Sequence, residues 1–292
     1  VERKMMIFEN TIKDILSKEL LRLENKFKAD VVFYFGEIRP ELLRIFRDLI
    51  EDLKKDKKSK KALVIILNTP GGSADVAEKM VDITRKHYGE VYFVVPDIAM
   101  SAGTLFCMSG DKIYMDYSSS LGPVDPQVWN GKQWVPALGY LNKVEEFLNK
   151  EREGKLTRAE FLMLQNQDLA ILSQCEQAKN LTETLLKKWL VEYKFKDWDK
   201  HRTNPAKKGK PVTGDEKVAR AAEIAANLGD NKKWHTHSRM IGIKSLRELR
   251  LDIEDFSDDP ALHLLIRSYN DLLTEYIARN NYTFFFHSRK FF

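Results

Sequence analysis

The stretch LNTPGGSADVAEKMVDITRKHYGEVYFVVPDIAMSAGT, Leu67–Thr104, holds two apolar runs that each stop at a cluster of small residues. The first run, ALVIIL (62–67), is apolar at every position, as in a strand buried on both faces of a parallel sheet. It gives way to Pro70, Gly71 and Gly72 and then to a helical pattern from Ser73. The second run, Val91–Val95, leads to MSAGT and a short helix from Ser101, and a further strand is read at Lys112–Met115. Strand, turn, helix and strand in this order predict β-α-β units with right-handed crossovers. In an open parallel sheet, ligands bind outside the carboxyl ends of the strands, and both small-residue clusters fall there.

Working outward, Ile12, Ile15, Leu16, Leu20 and Leu23 recur at helical spacing and predict an amphipathic helix over Asn10–Lys26. A strand follows from Asp30 in DVVFYF, and a second helix after Pro40 carries the stripe Leu42, Phe46, Leu49, Leu53. After about Gly154 no strand-like run remains until a possible short one near Met240. Capping-box pairs predict three helix starts: Thr157 with Glu160, ahead of a long helix to about Tyr193; Thr213 with Glu216; and Ser245 with Glu248. KHRTNPAKKGKPVTG (200–214) reads as an exposed loop, and FFFHSRKFF at the end as a docked segment.

Composition narrows the class. With 43% apolar residues the 292-residue chain can build a sizeable core, and its formal charge is only +5. Much of the excess sits in KKDKKSKK, Lys54–Lys61, read as a solvated helix end and loop and not a nucleic-acid surface, with an anionic partner as the alternative. Cys107 and Cys175 have no C-x-x-C spacing, which argues against a disulfide framework or zinc knuckle and fits a reducing compartment. The longest aliphatic runs are too short to cross a bilayer, and VERKMMIFEN has no apolar h-region, so the cytoplasm is the expected location.

At the strand ends, the glycines of the turn let the backbone approach a ligand and leave N–H groups pointing outward, while Ser73 can cap the helix. Ser101 stands at a helix start with Ala102 and Gly103 beside it. The pairing suggests a nucleophilic Ser101 facing an oxyanion hole made by the amides of Gly72 and Ala102. Each half has a plain reading, a tight connection and an ordinary N-cap; their occurrence one β-α unit apart is what carries information.

LNTPGGSADVA, AMSAGTLFCMSGDKIYM and SSSLGPVDPQ together resemble the superfamily of the Clp protease proteolytic subunit, signal peptide peptidase A and the crotonases, and most closely the serine dehydrogenase proteinase family. The resemblance runs from Asp30 to Gln127 and more loosely on to WHTHSRMIG (234–242). It implies an α/β fold, a Clp/crotonase-like spiral of β-α-β units with a largely helical C-terminal region. The expected parts are an N-terminal helix (1–28), a catalytic core (29–150) and a helical region (151–292) completing the site or the oligomer.

The implied activity is serine endopeptidase chemistry on a peptide or protein substrate, with Ser101 attacking the carbonyl, no cofactor or metal, and self-association. Where the Clp-like branch has its histidine this chain has Asp125. The serine dehydrogenase proteinase order Ser, Asp, His implies that Asp125 orients an imidazole supplied later in the chain. The family's His, small residue, Arg pattern matches His237-Ser238-Arg239, which favours His237 over His235; the two share a face if that segment is extended. The plain reading of WHTHSR is a surface turn, and a metal site on the H-x-H pair lacks companion ligands.

His263 falls on an apolar helical stripe, while His201 and His287 fall in polar loop or tail. Lys143 is the competing base, as in the Ser-Lys dyad of the signal peptide peptidase branch, and would have to be desolvated to lose its proton. The alternatives to a peptidase are a crotonase-type acyl-CoA enzyme, in which Ser101 has no required role, and a degenerate peptidase kept as a scaffold.

Overall fold

In the computed structural model, residues 2–201 and 206–292 are described, so part of the 200–214 loop lies outside the described residues. The runs that are apolar on both faces become the strands of one sheet: β1 (Asp30–Gly36), β2 (Ala62–Asn68), β3 (Glu90–Val94) and β5 (Lys112–Met115), all parallel. Alternation sorts their side chains. Val32 and Tyr34 of β1 and Leu63, Ile65 and Leu67 of β2 enter one core, while Val31, Phe33, Val64 and Ile66 enter the other.

Helices cover both faces. α2 (Leu43–Lys55), α3 (Ala74–His87) and α4 (Ala102–Cys107) pack on the first core with α7 (Leu169–Trp189) and α8 (Gly214–Gly229). α1 (Glu2–Phe27) and α11 (Pro260–Arg279) close the second, where Leu16, Leu20 and Leu23 are fully buried. The α/β alternation read from the sequence is therefore the architecture of the chain.

The second half, expected to be largely helical with a possible short strand near Met240, also adds both edge strands of the sheet. β9 (Glu254–Asp255) pairs with β5 in parallel, and β10 (Phe284–His287) pairs with β1 antiparallel. FFFH is thus an edge strand, and His287, expected in a polar tail, is buried with its Nδ1 2.8 Å from the Tyr269 hydroxyl. His263 pairs with Asp116 at 3.2 Å, and His201 lies 3.3 Å from Glu216.

The boxes at Thr157 and Thr213 form as expected, each hydroxyl accepting from a Glu amide while that Glu accepts from the Thr amide. The long helix expected to Tyr193 does not form: α6 (Arg158–Gln165) ends, and α7 starts afresh at Leu169 with Asp168 accepting from the Ala170 amide. The third box does not form either. Ile241 is held extended by a bridge to Leu121, so α10 (Ile243–Glu248) begins directly after Gly242, with Ser245 already inside it.

A smaller sheet bears directly on the strand-end clusters. β4 (Ile98–Ala99) and β6 (Ser120–Leu121) pair in parallel, and Ile241 adds an antiparallel bridge to Leu121. A hairpin follows, β7 (Gln127–Trp129) with β8 (Trp134–Pro136), leading into α5 (Ala137–Arg152). Among the described residues no helix is long and apolar enough to cross a membrane.

Candidate active site

The turn after β2 is fixed by its own backbone. Gly71 and Gly72 have φ of +107° and +140°, and a Cβ on Gly72 would sit 2.2 Å from the Ile38 carbonyl oxygen. The same turn abuts the second cluster, because a Cβ on Gly71 would fall 2.9 Å from Ser101 Cβ. The two segments are also stitched together upstream, the Thr69 amide donating to Ile98 O (2.9 Å) and the Met100 amide to Thr69 O (3.0 Å).

Ser101 itself is strained. It has φ 50° and ψ −113°, a region that side chains avoid, and although it occupies the N-cap position of α4 its hydroxyl caps nothing. Ser73, by contrast, accepts from the Val76 amide as an ordinary N-cap. Among the described residues, the half-buried Ser101 hydroxyl and the amides of Gly72 and Ala102 make no hydrogen bond. Polar groups left unused beside one another are the raw material of a binding site.

One buried residue ties the surroundings together. Thr104 Oγ1 lies 2.7 Å from Ala99 O and 2.9 Å from Gly122 O, and accepts from the Gly122 amide at 2.9 Å. Gly103, next to it, lets α4 pack closely on Thr69, since a Cβ there would meet Thr69 Cγ2 at 2.4 Å. Sequence reading passed over Thr104, though it stands in the same MSAGT cluster as Ser101.

The small sheet brings distant residues to one end. β4 runs out toward Ser101, β6 runs in parallel toward Asp125, and the segment before Ile241 runs back from His237. There His237 Nδ1 lies 2.8 Å from Asp125 Oδ1. Asp125 is almost completely buried, and its second oxygen accepts from Gln127 Nε2 at 3.2 Å; the His237 side chain is 32% exposed.

The other candidates sit differently. His235 is exposed, with φ 66° at the end of α9 (Asn231–Trp234), and its ring makes no hydrogen bond among the described residues. Lys143, on α5, is 57% exposed and paired with Glu146 at 3.0 Å. No group of three or more His, Cys, Asp or Glu at metal-binding geometry occurs among the described residues.

With this geometry in place, the match to known families is informative. Residues 41–216, well over half of the chain, match the model of the ClpP-like SDH-type serine proteinases. The chain belongs to this family. Within this SDH-type proteinase, the matched region contains both small-residue clusters and Asp125, whereas His237 lies beyond its end.

Two relatives come from Methanocaldococcus jannaschii. Uncharacterized protein MJ1495 is 29% identical over 213 residues, 73% of this chain and 56% of its own length. Uncharacterized protein MJ0137 is 36% identical over 106 residues, 36% of this chain and 33% of its own. The chain thus spans a third of one of these two curated relatives and just over half of the other. Among solved structures, a mutant of the 1510-N membrane-bound stomatin-specific protease in complex with a substrate peptide aligns with TM-score 0.37 and 20% identity, over 56% of this chain and 58% of the other.

Proposed function

We propose that this SDH-type proteinase is a serine endopeptidase in which Ser101, His237 and Asp125 act in series. Ser101 Oγ attacks the peptide carbonyl carbon as His237 Nε2 takes its proton. The buried Asp125 carboxylate accepts from His237 Nδ1–H, fixing the tautomer and stabilising the imidazolium that forms. The amides of Gly72 and Ala102 receive the charge on the carbonyl oxygen. His237 then gives the proton to the leaving amine, and water, deprotonated by the same imidazole, hydrolyses the acyl-enzyme and returns Ser101 to its hydroxyl form.

The contact of 2.8 Å between Asp125 and His237, two residues from opposite halves of the chain, carries this reading. A carboxylate buried this deeply is costly unless paired, and its partner is a partly exposed ring at the end of the small sheet toward which β4 leads Ser101. His237 is preferred over Lys143, whose side chain is exposed and paired with Glu146, without the burial that a lysine base requires. On the same reading, the C-terminal region completes the site by supplying the imidazole.

The test uses a fluorophosphonate probe and casein turnover. Labelling and hydrolysis by the wild type, both lost in Ser101→Ala, are expected. Absence of labelling together with acyl-CoA binding would instead favour a crotonase-type enzyme, and absence of both activities a scaffold.

Self-association belongs to the proposal. α6 buries none of its residues within the chain and exposes Phe161, Leu162 and Met163 at about half or more. Around it Lys143, Glu146, Lys150 and Glu160 mix both charges, a pattern able to meet its own copy across a two-fold axis. Both cysteines are buried and unpaired, in keeping with a reducing compartment such as the cytoplasm.

A further inference from the structure

We propose that Trp129 and Trp134 form a second substrate contact, a platform that takes an uncharged aromatic or large aliphatic residue of the polypeptide at a distance from the bond being cut. The inference rests on the peptidase reading above and names the kind of chain that site prefers.

The hairpin is two-faced. Val128 is buried against Ala137 and Cys175, with Tyr140, Leu141 and Ile171 packed around them. The opposite face carries Trp129 and Trp134, which are 47% and 66% exposed. Backbone bonds from Asn130 N to Gln133 O and from Ala137 N to Pro126 O set the bonding alternation, so Trp129 and Trp134 form a non-bonded pair, the type in which side chains approach most closely. Their rings meet edge to face at 5.8 Å. Two large indoles held together in water by a buried backing are a preformed apolar surface, with little ordering left to lose on binding.

Position connects this surface to the site. Gln127 shares the outer face of β7 with Trp129, two residues along, and its amide is the group that touches Asp125. An extended chain leaving the Asp125–His237 pair along β7 would reach the tryptophans within a few residues.

Charge selects the occupant. From Val124 to Asn142 the only ionisable acid is Asp125, already engaged by His237, and the only base is Lys132 at the hairpin tip. The hairpin itself therefore offers a cationic residue no carboxylate beyond the one already paired, whereas an apolar side chain can cover the two exposed indole faces.

The test measures equilibrium binding in a Ser101→Ala background, so that nothing is turned over. Two extended peptides of equal length are compared, one carrying Phe and Leu residues and one with these changed to Ser. The apolar peptide is expected to bind about tenfold tighter, as for a central aromatic contact. The ratio should fall to near one in Trp129→Ser/Trp134→Ser and return in Trp129→Phe/Trp134→Phe, which keeps the rings. Both tryptophans are exposed, so these variants should keep the wild-type circular dichroism spectrum.

A ratio unaffected by the double serine variant overturns the proposal, as does binding of neither peptide. It is also overturned if the double variant loses self-association in sedimentation, or binding to phosphatidylcholine vesicles, while the ratio stays. Failure of the peptidase reading would register separately, as absent fluorophosphonate labelling of the wild type.

Discussion

Asp125 and His237 are 112 residues apart in the chain and 2.8 Å apart in the fold. The short ladder of β4, β6 and Ile241 brings them together, and it also delivers Ser101 to the same end. The arrangement predicts which substitutions are costly. Asp125→Asn, which cannot hold the imidazole in the same tautomer, and His237→Ala are each expected to lower kcat by about 10^3-fold or more. His235→Ala and Lys143→Met should change kcat by less than about threefold, since rates within that range are ordinary for exposed positions. A collapse of activity in Lys143→Met with His237→Ala active would move the base to the lysine.

The backbone of the turn is the next target. Gly71→Ala would place a methyl 2.9 Å from Ser101 Cβ and 2.8 Å from Met100 O, at a φ of +107° that alanine avoids. Neither neighbour can withdraw without moving the serine. The expected result is a loss of about 2–3 kcal/mol in stability from backbone strain, together with a fall in kcat of about 100-fold as the amide of Gly72 is displaced. Urea denaturation and steady-state kinetics on the same preparation would separate the two.

Thr104→Val keeps the shape of a buried side chain and removes its hydroxyl. The Gly122 amide then keeps only its longer bond to Ala99 O at 3.3 Å, at a cost of about 1 kcal/mol. Because Thr104 also reaches Ala99 O, the substitution loosens α4 from both β4 and the 122–125 segment. Activity should fall more steeply than stability explains, and Thr104→Ser should recover both. Equal recovery failure in Thr104→Ser would show that the methyl group, and not the hydroxyl, is what matters there.

These residues also mark what could be read from sequence and what could not. The four parallel strands were legible because each is apolar on both faces, and the Gly-Gly turn because its neighbours leave no space for a side chain. Residue types at the candidate site were legible in the same way. Their proximity was implied only by the family resemblance, since the register of 237 against 125 depends on one long-range bridge between Leu121 and Ile241 and leaves no local pattern. The break between α6 and α7 escaped notice because Asp168 competes for the helix start with a residue type that is also common on exposed helix faces. β10 escaped because an edge strand needs only a partner, and its phenylalanines resemble any apolar tail.

His287 gives the fold a distinct pH dependence. Burial pushes the imidazole down from its usual value near 6.5 to about 4, with the Tyr269 hydroxyl at its Nδ1. The unfolded chain therefore binds a proton between about pH 6.5 and 4 that the folded chain refuses, so stability rises with pH across this window. It is fully present above about 6.5 and is lost as pH falls toward 4, by on the order of 3 kcal/mol. Denaturant midpoints measured from pH 7 to 4 should show the slope, and His287→Gln should flatten it.

A separate loss should appear at lower pH, from about 3.8 down to about 2. There burial opposes ionisation of Asp116, but Arg267 and the hydrogen bonds from Ser118 outweigh it and hold the carboxyl low. The His287→Gln variant should retain this second step unchanged.

The C-terminal edge strand is anchored chiefly by Arg289, with Lys290 adding a pair to Asp56 at 3.4 Å. Arg289 donates to Glu24, to Asp30 at 2.7 Å and to Asp56 at 3.0 Å, joining the end of the chain to α1, the start of β1 and the turn after α2. Asp30 is fully buried and also accepts from the Tyr88 hydroxyl and the Lys60 amide. Replacing Arg289 with Met keeps the stem and leaves Glu24 and Asp30 buried without a counter-charge. The expected cost is about 3–5 kcal/mol, the range for breaking a buried pair from one side. Since β10 pairs only with β1, its amides should lose protection from hydrogen exchange before those of β2 and β3. A uniform loss of protection across the sheet would show that Arg289 holds the whole fold together and not its edge alone.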